Sequence, residues 1–127
     1  MRSLTIEATK CTPRIFFNEA KNVLEIKGES YPENTSEFYE SLFKWLNTHL
    51  DGLHQEILTV DIELIYFNSS SSKILLNLFD RLEENVNKGK KIAVNWIYDK
   101  GNDSSLEYGE EFKEDLTTLP FTLLAKE

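Results

Sequence analysis

Glycine, cysteine, histidine and basic residues are all scarce in this chain, and each shortage removes a class of function. The five glycines are scattered, with none within two positions of another. Neither a P-loop nor a dinucleotide fingerprint can be built from them. Cys11 is the one cysteine, so no internal disulfide is possible, and only His49 and His54 accompany it, which leaves no zinc-type spacing. No metal and no cofactor is expected. No apolar run approaches the roughly 20 residues needed to cross a bilayer, so direct membrane insertion is not expected either. The opening MRSLTIEATK lacks the apolar centre of a signal peptide, and the expected location is cytoplasmic. Only 14 basic residues stand against 22 acidic ones, a net charge of −8 that repels nucleic-acid phosphates and anionic lipid.

What remains is the composition of a globular protein, 40% apolar and 28% charged, with a length of 127 residues that fits one domain over 1–127. Hydrophobic spacing divides it into elements. Arg14–Asn18 and Val23–Lys27 read as a strand pair around the polar tetrad Glu19-Ala20-Lys21-Asn22. GESYPENTSEF then signals a loop, after which Asn34 or Thr35 caps a helix running to about Leu50, with Glu37 placed to bond backward. Phe38, Leu42, Trp45, Leu46 and His49 follow the spacing of its buried face. Tyr39 and Phe43 lie off the centre of that stripe, and read as flank packing in preference to an exposed aromatic pair. Ile57–Phe67 alternates as a strand, and a helix from about Ser71 to Lys88 carries Leu75, Leu78, Phe79, Leu82 and Val86 on one stripe.

Lys91–Tyr98 is the next strand, so strand, helix and strand follow at the spacing of a βαβ unit with parallel neighbours. A last helix, capped by Ser104 or Ser105 and reaching about Leu116, and a short strand at Phe121–Leu124 complete the order β-β-α-β-α-β-α-β. The expected fold class is α/β, one mixed β-sheet with helices packed on it.

Catalytic constellations are hard to find. No nucleophile elbow exists, and the histidines sit at the end of the first helix and in the loop beyond it, away from the serines in sequence. The carboxylates Glu107, Glu110, Glu111, Glu114 and Asp115 read most simply as a solvated helix face. A small serine-dependent hydrolase is the enzymatic alternative, and the expectation is that the chain is not an enzyme.

The run Asn68-Ser69-Ser70-Ser71-Ser72-Lys73 supports two readings. Asn68 and one serine can cap the helix while the other hydroxyls bond locally in turns. Alternatively the helix start, with free N–H groups and the positive end of the dipole, is a seat for a phosphate attached to one of these serines.

Three stretches carry a family resemblance: GESYPEN, YFNSSSSK and VNWIYD, in that order, within 12–121. Together they resemble the SiaC family of regulatory phosphoproteins, whose fold is similar to the STAS domains of anti-sigma-factor antagonists. The resemblance implies a STAS-like sandwich and a switch protein. It implies phosphorylation at the residue after the motif asparagine, here Ser69 with Ser70 as the alternative, by a Ser/Thr protein kinase of histidine-kinase-like fold. It further implies removal of the phosphate by a PP2C-type phosphatase, and binding and activation of a diguanylate cyclase, hence cyclic di-GMP signalling, by the unphosphorylated form. An anti-sigma-factor-antagonist-like role in partner switching is the alternative effector. The partner surface implied comprises Tyr31, Glu33, Asn34, Asn68, Ser69, Ser70 and Lys73. The GESYPEN loop either shares a rim with Ser69 or is a proline-stiffened cap of the first helix.

Overall fold

Burial along Ile57–Phe67 alternates in the computed structural model, which describes residues 3–127. Leu58, Val60, Ile62 and Leu64 are buried, while Thr59, Asp61 and Glu63 on the other face stay half-buried. That asymmetry means one face of the sheet is covered by helices and the other is not. The elements are β1 (Thr5–Ile6), β2 (Arg14–Asn18), β3 (Val23–Ser30), α1 (Thr35–Asp51), β4 (Ile57–Phe67), α2 (Ser69–Asn87), β5 (Lys91–Asp99), α3 (Asp103–Glu114) and β6 (Phe121–Lys126). The six strands lie in the order β1-β2-β3-β4-β5-β6. The pairs from β1 to β3 are antiparallel, and those from β3 to β6 are parallel. Each parallel step advances in the same direction through one helix. Right-handed crossovers therefore place α1, α2 and α3 on the same face.

Under those helices lies the core: Leu24, Ile26, Leu42, Leu46, Val60, Ile62, Leu75, Phe79, Val94 and Trp96. The open face carries a polar row instead, in which register sets Glu25, Asp61, Asn95 and Thr122 side by side, with the apolar Phe16 beyond Glu25 on β2. Asn95 Nδ2 donates to Asp61 Oδ1 at 2.8 Å, and Lys126 Nζ reaches Glu63 Oε2 at 2.8 Å. These pairs solvate a face that has no second layer.

The expected mixed sheet with helices on a face is present, with five corrections. β1 adds a strand that no periodicity announces: its two residues pair Thr5 with Phe16 and Ile6 with Ile15. Gly28, Glu29 and Ser30, read as loop, continue β3 past a register shift between Gly28 and Glu29. Gly28 has φ +133, and a Cβ there would stand 3.3 Å from Pro13 Cα, so glycine lets the strand bulge where a side chain would not. Tyr39, placed off the stripe of α1, is 2% exposed and belongs to the core, whereas Phe38 is only half-buried and packs edge-on against it. α2 begins at Ser69 rather than Ser71. α3 is capped by Asn102, whose side chain accepts from the Ser105 N–H, and the serines read as caps lie inside the helix.

One carboxylate fixes the loop before β6. Glu83 on α2 accepts from the backbone N–H groups of Thr117 at 2.9 Å, Thr118 at 2.7 Å and Leu119 at 2.9 Å. Desolvation pushes its carboxyl up, but the bonds from Leu119, Thr118 and Thr117 together outweigh it and hold the group below its ordinary 4.5. A depressed native value contributes stability that is complete above pH 4.5 and is lost as pH falls through the native value. Glu83→Ala is expected to lower stability at neutral pH by about 1 kcal/mol. In chemical denaturation the gap between wild type and variant should shrink on acidification, and a gap independent of pH would refute the role.

Candidate functional site

Asn34, Asn68 and Asn102 each follow a parallel strand and cap the helix after it, Asn68 directly and the other two past a short connection, so all three helix N-termini lie on the carboxyl rim of the sheet. Each asparagine uses its side-chain oxygen to accept an N–H three residues on, from Glu37 at 3.1 Å, Ser71 at 2.9 Å and Ser105 at 3.1 Å. Asparagine serves here because its short amide reaches the donors that the first helical turn leaves unpaired. At Asn34 the amide also donates to Glu37 Oε2 at 3.2 Å, so Glu37 bonds backward to a side chain rather than to the backbone.

The β3 and β4 junctions touch directly. Ser30 pairs with Phe67 in register, and the Asn68 N–H donates to the Ser30 carbonyl at 3.0 Å. The Tyr31–Asn34 segment therefore lies on the same rim as the serine run. A shallow groove of about 450 Å³ brings Glu33, Asn34, Ser70 and Lys73 together with Ser36, Ile74 and Asn77. Tyr31 stands beside it and packs edge-on against Tyr66 at 5.7 Å between ring centroids.

The serines are not equivalent. Ser69 and Ser70 are exposed at the first two positions of α2, and Ser72 is half-buried. Ser71 is 1% exposed, and its hydroxyl bonds to the Ser30 carbonyl at 2.9 Å and to Ser30 Oγ at 2.8 Å. Ser30 Oγ in turn meets the Tyr39 hydroxyl at 2.6 Å. Burial pushes the Tyr39 phenol up to about 12, with the Ser30 contact working the other way, so it stays protonated throughout the physiological range. Asn68 is thus the cap, Ser71 a structural hydroxyl, and Ser69 and Ser70 the groups presented to solvent.

A phosphate on Ser69 would sit at the positive end of a 19-residue helix, beside N–H groups without intrahelical partners. Lys73 lies four residues on, one turn along the same helix face, and is exposed. Both histidines lie at the other end of the sheet. His49 Nε2 contacts Asn22 Oδ1 at 3.0 Å, immediately before β3 begins, and His54 follows α1. The eight residues of β3 separate that edge from Ser30, a span of roughly 25 Å. No Ser–His pair forms with the serine run. Among the described residues no group of three His, Cys, Asp or Glu side chains is placed to hold a metal, and no helix is long and apolar enough to cross a membrane.

The rim also exposes apolar groups that sequence reading passed over. Ile65 is 60% exposed, Tyr66 53% and Tyr108 43%, the last packed on Phe67 at 4.8 Å. For Ile65 and Tyr66 the signal lay in the end of β4, where two consecutive large residues follow the regular alternation.

The model of the SiaC family of regulatory phosphoproteins matches residues 6–126. An uncharacterised protein of Pseudomonas aeruginosa strain UCBPP-PA14 is 36% identical over 126 residues, which is 98% of each chain. The crystal structure of apo-SiaC from Pseudomonas aeruginosa superposes with a TM-score of 0.87 at 32% identity, covering 98% of this chain and 100% of that one. A chain of the complex between diguanylate cyclase SiaD and its activator SiaC from the same organism gives 0.90 at 35% identity, covering 97% of this chain and 99% of its own. With the family pattern matched over nearly its whole length and the same fold in solved relatives, this chain belongs to the SiaC family of regulatory phosphoproteins.

Proposed function

We propose that the chain is a non-enzymatic cytoplasmic switch, acting as one domain over 1–127 without a cofactor, that activates a diguanylate cyclase when Ser69 is unphosphorylated. The single observation that carries the site is the sorting of the serine run: Ser71 is locked inside, while Ser69 and Ser70 stand exposed at a capped helix start. The partner is supported by the likeness to an activator solved with its cyclase. Tyr31, Glu33, Asn34, Asn68, Ser69, Ser70 and Lys73 form the docking rim, with Ser69 the acceptor and Ser70 its alternate. A Ser/Thr kinase of histidine-kinase-like fold adds the phosphate, and a PP2C-type phosphatase removes it.

The switch is electrostatic. Unmodified, the rim offers neutral hydroxyls to the partner. Phosphorylated, it carries a hydrated dianion whose burial without matching cations costs several kcal/mol. Site mapping by tandem mass spectrometry of protein from its native cells should find a single phosphate, on Ser69 in the Ser69–Ser72 peptide. Recovery of that peptide wholly unmodified, under conditions where the kinase is active, would contradict the proposal.

A further inference from the structure

Three buried hydroxyls behind the serine run can be assigned their protons one by one. Ser71 Oγ donates to the Ser30 carbonyl, which uses its only proton. The 2.8 Å contact between Ser30 and Ser71 must then be Ser30 donating to Ser71 Oγ. With the Ser30 proton also spent, the 2.6 Å contact to Tyr39 is Tyr39 donating to Ser30 Oγ. The chain runs one way, from Tyr39 through Ser30 to Ser71 and back onto the Ser30 carbonyl. That carbonyl also accepts the Asn68 N–H at 3.0 Å. Three elements are thereby tied at one point: α1 through Tyr39, the end of β3 through Ser30, and the first turn of α2 through Asn68 and Ser71.

We propose that the Tyr39–Ser30–Ser71 hydroxyl chain is the positioning device of the switch, fixing the rotational phase of the first turn of α2 so that one serine of four near-identical neighbours is the phosphate acceptor. A kinase meeting four serines in a row has little side-chain chemistry by which to choose among them. The fold supplies the choice. With Ser71 pinned inward, the helical repeat of about 100° per residue turns Ser69 to the far side of the helix, roughly 160° from Ser71, and leaves Ser70 and Ser72 on its two flanks. Loss of the pin frees the turn to rotate or fray, and the neighbouring hydroxyls become competing acceptors. The proposal rests on phosphorylation of this run, as proposed above.

Wild type, Ser71→Ala and Tyr39→Phe are to be expressed in the native host, checked for folding by circular dichroism, and their phosphate mapped residue by residue. Wild type should carry it on Ser69 alone. Ser71→Ala should spread it over Ser69, Ser70 and Ser72, with the share on the latter two rising several-fold. Tyr39→Phe keeps the ring in the core but lets the Ser71 proton turn to Ser30 Oγ, and should spread the phosphate in the same direction to a smaller extent. Where Ser71→Ala does not fold, Tyr39→Phe carries the test. A merely structural role would lower the melting temperature and leave the phosphate on Ser69, which overturns the inference while leaving the switch intact. An unmodified wild type overturns the switch itself.

Discussion

Ser69→Asp is expected to weaken binding to the proposed diguanylate cyclase partner by at least about 100-fold, whereas Ser69→Ala should bind like the unphosphorylated protein. The two substitutions separate charge from side-chain loss. Alanine removes the hydroxyl and nothing more at an exposed position. Aspartate places an anion at the first position of α2, where the dipole favours it by about 0.3–1 kcal/mol. It should therefore hold or raise the melting temperature while abolishing docking. Stability and affinity moving in opposite directions are the mark of a surface switch, because a damaged fold would lower both. Cyclase activity with each variant gives the same comparison as turnover. A serine nucleophile would behave differently, since both substitutions would then remove activity alike.

Gly109→Ala should destabilise the protein by about 2–3 kcal/mol, although alanine is ordinarily the better helix former. Gly109 is buried in α3 against the face of the sheet. A Cβ there would lie 2.5 Å from Trp96 Cδ1, 2.7 Å from Leu123 Cδ2 and 2.8 Å from Trp96 Nε1. Trp96 cannot step aside. It is fully buried, its Nε1 donates to the Ser105 carbonyl at 2.9 Å, and its ring packs against Phe67, Phe112 and Phe121. A methyl group at position 109 must push α3 off the sheet or turn the indole out of its bond. Urea denaturation gives the difference directly, and a variant as stable as wild type would show that α3 has room the geometry denies it. Phe67 immediately precedes the cap of α2 and also touches Tyr108, so displacement of α3 should be felt at the rim.

Gly109 also shows where sequence reading stops. Its flanking pattern fits a solvated acidic helix, and only the approach of Trp96 from a different element gives the missing side chain a reason. The long strand at Ile57–Phe67 and the stripe of α2 were legible because their periods are regular and their burial follows from one sheet face and one helix face. β1 was not, since two residues carry no period and form a strand only by pairing with β2. Tyr39 was misplaced for a related reason: its polar end finds Ser30, a partner on another element, and that bond lets a tyrosine enter the core in place of Phe38. At the site the serine run was conspicuous in sequence and Asn68 could be read as a cap. The difference between Ser71 and its neighbours was invisible, because it depends on Ser30 lying across the β3–β4 pairing. Tyr108 escaped for want of any feature in sequence that would mark it as rim rather than core.

Calorimetric titration of the purified diguanylate cyclase with this protein, phosphorylated on Ser69 in one arm and enzymatically dephosphorylated in the other, bears most directly on the switch. The dephosphorylated form should bind and raise cyclase turnover, and the phosphorylated form should show no binding at the same concentrations. Equal affinity in the two arms would contradict the claim that charge at the start of α2 governs docking.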